Sequence, residues 1–324
     1  MKNYYFTITP LYFLSISFSL SSSSWMSIWI GMEMNLLTFI FLILNSKTFN
    51  SNESCMKYFL IQSVGSLMFL FCISMQMLFY NESFFINALV PPLALMLKSG
   101  IAPLHFWTPD LSMKFSPSNL FLFITMQKIV PLLILFSSWS TMIKWAIPLN
   151  IMIGALGGMC QSSINKTIIF SSMNNSGWML LSLTESFLLF FLFFFTYFLM
   201  NFMLMKFIKN HKIKWITQIK SHNFFKKIMF MSLMLSLSGL PPFLGFIPKW
   251  IILKKIIFML PMFAFLSILF SVFIIFFYLK LSIFMFFYSS LTKKWINWFS
   301  YSSVNISLNI LINFTSSFFF ILCM

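Results

Sequence analysis

Long apolar runs separated by short polar or basic segments recur along the whole chain. A run of about 20 apolar residues is long enough to cross a bilayer as a helix. The first run could also pass for a signal peptide, but ten further runs follow it, so we interpret it as a membrane helix. The pattern predicts an all-α polytopic membrane protein, a single membrane domain over 1–324, with eleven transmembrane helices at roughly 4–23, 25–45, 58–80, 84–112, 118–138, 145–163, 166–184, 187–207, 229–255, 260–287 and 304–323.

Two of these spans contain residues that interrupt helices. The fourth carries Gly100 and Pro103, and the ninth carries Gly239, Pro241 and Pro242. Backbone groups freed by such breaks are tolerated at membrane depth only where they face protein or a wet cavity. We therefore predict two discontinuous helices, each at a polar site inside the protein.

The order of the broken spans indicates an internal repeat. They are fourth and ninth, five positions apart, and an odd separation makes equivalent helices cross the membrane in opposite senses. This arrangement is typical of inverted repeats whose site lies at the discontinuous helices. The sequence predicts an antiporter-like inverted five-helix repeat, with the first copy at about 4–138, the second at about 145–287, and a C-terminal helix at about 304–323.

Composition and charge exclude a soluble protein. The chain is 60% hydrophobic and only 8% charged, too few charges to cover a soluble surface. A net charge of +16 could suggest nucleic acid, but the lysines lie in short loops between spans. With the N-terminus inside, fourteen loop lysines fall on the inner side and three outside, as the positive-inside rule requires. We expect a membrane partner and no nucleic acid.

No motif for a metal, redox group or nucleotide is present. The four cysteines form no C-x-x-C pair, and the chain has neither a P-loop nor G-x-G-x-x-G. We expect no cofactor and no metal in this chain.

Four ionisable residues lie well inside spans, and they are the candidate functional groups: Glu33, Lys98, Lys128 and Lys249. A structural ion pair would explain Glu33 with one lysine but would leave two ammonium groups without a carboxylate. Each would cost several kcal/mol in hydrocarbon or would give up its proton. Such lysines are suited to carry protons, so the pattern favours a proton relay.

His105 follows the first break and has two interpretations. Its imidazole could pass a proton between Lys98 and Lys128, or it could bond to backbone groups freed by Pro103. The sequence leaves both open.

Several motifs, taken in order, resemble a known family. They are Gly31-Met-Glu33-Met-Asn35, Lys98-Ser-Gly-Ile-Ala-Pro103-Leu-His105-Phe-Trp107, Gln127-Lys128-Ile-Val-Pro131, and Leu237-Ser-Gly-Leu-Pro241-Pro242 through Lys249-Trp250. The chain resembles the subunit 2 family of mitochondrial NADH:ubiquinone oxidoreductase, respiratory complex I. Its Met, Ser and Lys bias resembles invertebrate mitochondrial genes.

The resemblance implies a core membrane-arm subunit that translocates protons while NADH and ubiquinone react elsewhere in the complex. It implies that Glu33 and Lys98 form a modulating pair, that Lys128 is the central carrier, and that Lys249 lies toward the exit. The implied partners are other membrane-arm and accessory subunits and lipid. The implied location is the mitochondrial inner membrane, where the charge pattern puts the N-terminus on the matrix side.

Two other functions stay open on the sequence. One is a subunit of an Mrp-type cation/proton antiporter, which belongs to a related group. The other is a structural membrane scaffold, which would have no need of Lys128 buried without a carboxylate.

Overall fold

The computed structural model describes residues 2–45, 48–78, 84–221 and 224–287. Within these ranges the regular elements are helices, and one isolated β-bridge joins Ser163 to Trp215. The α-helices are α1 (Lys2–Ser21), α2 (Trp25–Leu44), α3 (Phe49–Leu78), α4 (Phe84–Ser99), α5 (Trp107–Ser112), α6 (Pro117–Ile124), α7 (Met126–Ser138), α8 (Ser140–Gly158), α9 (Ile164–Glu185), α10 (Phe187–His211), α11 (Phe224–Ser238), α12 (Phe246–Met259) and α13 (Pro261–Phe287), with a 3-10 helix at Ile216–Ser221.

The all-helical prediction is confirmed, whereas the count of eleven spans is not settled. Among the described residues, five stretches are long and apolar enough to cross a membrane on their own: Trp25–Leu44, Phe49–Met75, Pro117–Ser138, Phe187–His211 and Pro261–Phe284. The predicted helix at 304–323 lies outside the described residues.

Polar caps fix where several helices begin. The Ser24 hydroxyl accepts a hydrogen bond from the Ser27 amide at the start of α2, and Ser186 does the same for Leu189 at the start of α10. Helix α3 begins at Phe49, earlier than the predicted span, because Thr48 and Ser51 exchange side-chain and backbone hydrogen bonds.

The chain divides into two compact units between Ala146 and Ile147. Unit 1 holds α1 to α7 and the start of α8. Its core contains an aromatic cluster in which the Phe39, Tyr58, Phe115 and Phe123 rings meet at centroid distances of 5.1 to 6.4 Å.

Unit 2 is organised around α9, which is buried on nearly all sides despite its many serines and asparagines. Glycines allow the rest of α8 to approach it closely: a Cβ on Gly154 would lie 2.6 Å from the Asn174 nitrogen. The Asn150 amide of α8 also donates to the Ser176 hydroxyl at 2.7 Å. A helix covered in this way contributes polar side chains to the interior of the unit.

Both predicted helix breaks are present, with the same backbone geometry. Gly100 (φ 67°) follows the last residue of α4 and Gly239 (φ 81°) follows the last residue of α11, in a conformation that glycine adopts without strain. Each end has two turn-closing bonds, Ile101 N to Met96 O with Gly100 N to Leu97 O, and Leu240 N to Leu235 O with Gly239 N to Ser236 O. This is the Schellman arrangement of a helix C-terminus.

A third interruption lies within the span predicted to be continuous over 118–138. Helix α6 ends at Ile124 and α7 begins at Met126, with Thr125 at φ −100° and ψ −74° between them. Pro131 contributes to this distortion, because it lacks the amide that would bond to the Gln127 carbonyl one turn earlier. The break therefore comes three residues before Lys128.

Candidate functional site

The three predicted lysines are all buried, each only 6% exposed. Lys98 lies in the last turn of α4, Lys128 in the first turn of α7, and Lys249 in the first turn of α12. Each of these turns adjoins a helix interruption. Burial of three lysine side chains at such positions is costly, so they stay the candidate functional groups.

Lys98 faces a small polar cavity in unit 1. The cavity has a volume of about 20 Å³ and is lined by Met32, Asn35, Leu36, Tyr58, Gln62, Lys98, Gln127, Val130 and Pro131. Such a volume holds about one water molecule. Gln62 fixes the wall by donating from Nε2 to the Lys98 carbonyl at 2.9 Å. The space beside Lys98 is therefore suited to water.

Glu33 interacts electrostatically with Lys98, but no ion pair joins the two described side chains. Glu33 Oε1 and Lys98 Nζ are both buried, and neither has a hydrogen-bond partner among the described residues. Two buried charged atoms of opposite sign, each without a partner, leave room for water or for a change of distance. Their role as a modulating pair stays a prediction.

A pair of side-chain amides that sequence reasoning missed lies in the same wall. Asn35 Nδ2 donates to Gln127 Oε1, and Gln127 Nε2 donates to Asn35 Oδ1, both at 3.2 Å. The two residues are 92 positions apart, so no local pattern could have revealed the contact. The signal that existed was the polar character of both residues inside apolar spans.

Lys249 is held by main-chain oxygens within unit 2. Its Nζ donates to the Ser238 carbonyl at 2.8 Å and to the Leu237 carbonyl at 3.5 Å, the last carbonyls of α11. The C-terminal end of a helix carries partial negative charge, which favours a cation there. The lysine also lies 5.6 Å from the centroid of the Trp178 ring. Gly239 provides the space, since a Cβ there would lie 2.8 Å from Lys249 Cδ.

His105 is buried between α4 and α5 and bonds to the backbone. Its Nδ1 donates to the Pro103 carbonyl at 3.1 Å, and its ring stacks on Phe106 at 4.4 Å. The geometry agrees with the backbone-bonding interpretation. Proton transfer through His105 stays a prediction.

The chemistry available in the described residues is proton binding and release by buried amines. Unit 1 brings together Glu33, Lys98, the cavity and the helix that carries Lys128; unit 2 holds Lys249 at the break of its own helix pair.

Comparison with known proteins identifies the family. The family model described as NADH:quinone oxidoreductase/Mrp antiporter, TM, matches residues 22–277. NADH-ubiquinone oxidoreductase chain 2 of Anopheles gambiae is 36% identical over 309 residues, covering 92% of this chain and 90% of that protein. The chain belongs to the NADH-ubiquinone oxidoreductase chain 2 family. The Locusta migratoria member is 34% identical over 247 residues, covering 74% of this chain and 72% of that one.

Solved structures share the fold of this family member. A chain of respiratory complex I from Thermus thermophilus superposes with a TM-score of 0.78 at 18% identity, covering 96% of this chain and 77% of that chain. A chain of the Mrp complex from Dietzia superposes with a TM-score of 0.74 at 15% identity, covering 85% of this chain and 59% of that chain. At these identities the likeness concerns the fold alone.

Proposed function

We propose that this chain is a core membrane-arm subunit of proton-pumping NADH:ubiquinone oxidoreductase. It moves protons across the membrane, while NADH oxidation and ubiquinone reduction take place in other subunits, so this chain itself needs no cofactor. The observation that carries the proposal is the burial of Lys98, Lys128 and Lys249, each beside a helix interruption. A scaffold has no use for three buried amines.

The first two lysines work as a coupled pair in this proposal. When Glu33 approaches Lys98, it neutralises that charge, and Lys128 can take up a proton. When Glu33 withdraws, the Lys98 ammonium repels the Lys128 ammonium and favours release of its proton. At an effective dielectric of about 20, two unit charges about 8 Å apart interact by roughly 2 kcal/mol. That energy changes a protonation equilibrium by more than tenfold.

An inverted repeat accounts for the two broken helices. The first five helices of each half begin at similar intervals: α1 and α8 at Lys2 and Ser140, α2 and α9 at Trp25 and Ile164, α3 and α10 at Phe49 and Phe187, α4 and α11 at Phe84 and Phe224, and α5 and α12 at Trp107 and Phe246. These separations of 138 to 140 residues support a repeat whose discontinuous members are α4–α5 and α11–α12.

In the proposed setting the chain is a multi-pass protein of the mitochondrial inner membrane. Its N-terminus and the basic segment 206–227 face the matrix, as the excess of inner lysines favours. Its partners are the other membrane-arm and accessory subunits and the surrounding lipid.

The experiment replaces Lys128 by Met in the whole complex, reconstituted in phospholipid vesicles. Met preserves an unbranched side chain but holds no proton, so assembly should survive while NADH-driven quinone reduction falls at least about tenfold, corresponding to about 1.4 kcal/mol in the barrier. Lys254→Met is the matched control, because Lys254 is exposed. A Lys128→Met complex that assembles and pumps at the normal proton-to-electron ratio would disprove the relay.

The alternative, an Mrp-type antiporter subunit, is favoured by the fold shared with the Dietzia chain. It predicts a complex that exchanges cations for protons without NADH. Purification of the native assembly separates the two functions, because only the first predicts co-migrating quinone-reductase subunits.

A further inference from the structure

The reciprocal amide pair of unit 1, Asn35 and Gln127, lies close in sequence to two of the candidate functional residues. Asn35 lies two residues after Glu33 on α2, and Gln127 immediately precedes Lys128 on α7. Both side chains line the cavity that contains Lys98. The pair therefore joins α2, which carries Glu33, to α7, which carries Lys128, at the wall of the cavity that Lys98 lines.

The cavity does not include Lys128 among its lining residues. Successive residues of an α-helix are about 100° apart around its axis, so Gln127 and Lys128 project in different directions. A proton passage from the Lys98 cavity to Lys128 would therefore start at a wall that the Gln127 side chain lines.

The amide pair is a barrier to that passage while it is closed. Its two hydrogen bonds, both at 3.2 Å, occupy the facing donor and acceptor of each side chain. Neutral carboxamides have no ionisable proton at physiological pH, so the proton needs water. Turning one amide alone would place like groups against each other, so the two must turn or separate together.

We propose that Asn35 and Gln127 are positioning residues that form a valve between Lys98 and Lys128. The inference rests on the proposed function of the chain. When closed, the pair confines water to the Lys98 cavity; when it opens, the freed amide groups bind water that connects the cavity to Lys128. The open state is a minor conformation of the kind that proteins populate at about 0.1–10%.

The competing explanation is that the pair merely fastens α2 to α7. The two explanations differ in their response to apolar replacement, because replacing both partners of a buried hydrogen bond by apolar groups of similar shape can leave stability unchanged. A fastener survives such a replacement, but a valve does not, because Leu and Met bind no water.

The test compares three variants with wild type in the whole reconstituted complex. They are Asn35→Leu/Gln127→Met, which keeps the shape, Asn35→Gln/Gln127→Asn, which exchanges the amides and restores the pair, and Asn119→Leu. Asn119 is the matched control, because its buried amide also bonds to α2, at the Leu42 carbonyl at 3.1 Å, away from the cavity. The measurements are the amount of assembled complex, NADH-driven quinone reduction and proton uptake.

We expect the apolar double variant to assemble but to lose coupled turnover about tenfold, equivalent to about 1.4 kcal/mol in the barrier. The exchanged pair should recover to within about twofold of wild type, and Asn119→Leu should pump at the wild-type ratio. Normal pumping by the assembled apolar variant would make the pair a fastener and overturn the proposal. Wild-type complex that reduces quinone without moving protons would instead refute the proposed function.

Gln127→Glu keeps the test decisive if the apolar variant does not assemble. It keeps the acceptor for Asn35 and places a carboxylate beside the lysines, which favours their protonated form, so maximal turnover should shift to higher pH. An unchanged pH profile in assembled Gln127→Glu complex would exclude Gln127 from the path. The native titratable groups around this position are Tyr12 of α1, Glu33 of α2, Tyr58 of α3, Lys98 of α4 and Lys128 of α7.

Discussion

The two broken helices of this chain have the same backbone geometry at the break but differ in the position and contacts of their lysines. Gly100 and Gly239 end α4 and α11 with positive φ and the same pair of turn-closing bonds. Lys98 precedes its break, whereas Lys249 follows its break and points back to it.

The partners of the two ammonium groups make the difference explicit. Lys249 Nζ donates to the Leu237 and Ser238 carbonyls, while Lys98 Nζ has no hydrogen-bond partner among the described residues and faces a cavity. Lys249 is thus tied to the backbone, whereas Lys98 lies beside a water-sized cavity and near the Glu33 carboxylate. The same backbone break can therefore adjoin a lysine that is hydrogen-bonded to carbonyls or a lysine that faces a cavity.

The largest effect in this comparison is expected from Gly245→Ala. The residue before α12 is Gly245, where a Cβ would overlap the Ser236 carbonyl oxygen, whereas Phe106, the residue before α5, is exposed. Backbone cannot move aside as a side chain can, so we expect a cost of about 3 kcal/mol or more and loss of assembled complex. Native gels of membranes carrying the variant measure this loss.

Gly158→Ala is the control for that change. A Cβ on Gly158 would lie 3.6 Å from Phe170 Cβ, an ordinary contact, and assembly should be normal. Equal amounts of complex with the two variants would mean that the second break is not packed as described.

A smaller effect, a difference in thermal stability, is expected between Lys249→Met and Lys98→Met. Removing Lys249 deprives the buried Ser238 carbonyl of its donor at 2.8 Å, and a bond of this kind from a charged donor contributes about 1.5–3 kcal/mol; the Leu237 contact at 3.5 Å is weaker. Removing the Lys98 amine breaks no hydrogen bond among the described residues. Thermal inactivation of the assembled complex should therefore occur at lower temperature with Lys249→Met than with Lys98→Met. An equal decrease in inactivation temperature in both variants would mean that the hydrogen bonds of Lys249 do not distinguish it from Lys98.

The smallest effect concerns Trp178, whose ring lies 5.6 Å from Lys249 Nζ. Its indole N–H is buried and has no hydrogen-bond partner in the part of the chain that the structure describes, so Trp178→Phe removes an unsatisfied donor together with a distant cation–π contact. We expect stability to change by less than about 1 kcal/mol and turnover by less than twofold. Trp250→Phe is the comparison, because Lys254 lies only 3.7 Å from that ring but is exposed. A loss of thermal stability as large as that of Lys249→Met would show that the ring, not the carbonyls, holds the lysine.

The breaks and the buried lysines were predictable from the sequence because their causes are local. Gly100 and Gly239 lie where a helix must end, and a lysine inside an apolar run is visible without any partner. The interruption at Thr125 had a weaker signal in Pro131, which leaves the Gln127 carbonyl without its helical donor.

The pairing of Asn35 with Gln127 was not predictable, since it depends on how α2 and α7 meet. The same limit applies to Lys249 and its carbonyl partners, which lie 11 and 12 residues away across a break. Local patterns identify which residues are out of place in lipid, but only tertiary packing decides which of them satisfy one another.

The polar character of α9 has a consequence for how the chain is made. A helix with five serines and asparagines among the six residues 171–176 gains little by entering lipid alone, because each such side chain offsets the gain from its apolar neighbours. It becomes favourable only when α8 and α10 are there to cover it, as the close approach at Gly154 and the Asn150–Ser176 bond illustrate. Damage to those neighbours should first reduce the amount of chain retained in the membrane during synthesis, before any step of proton transfer is slowed.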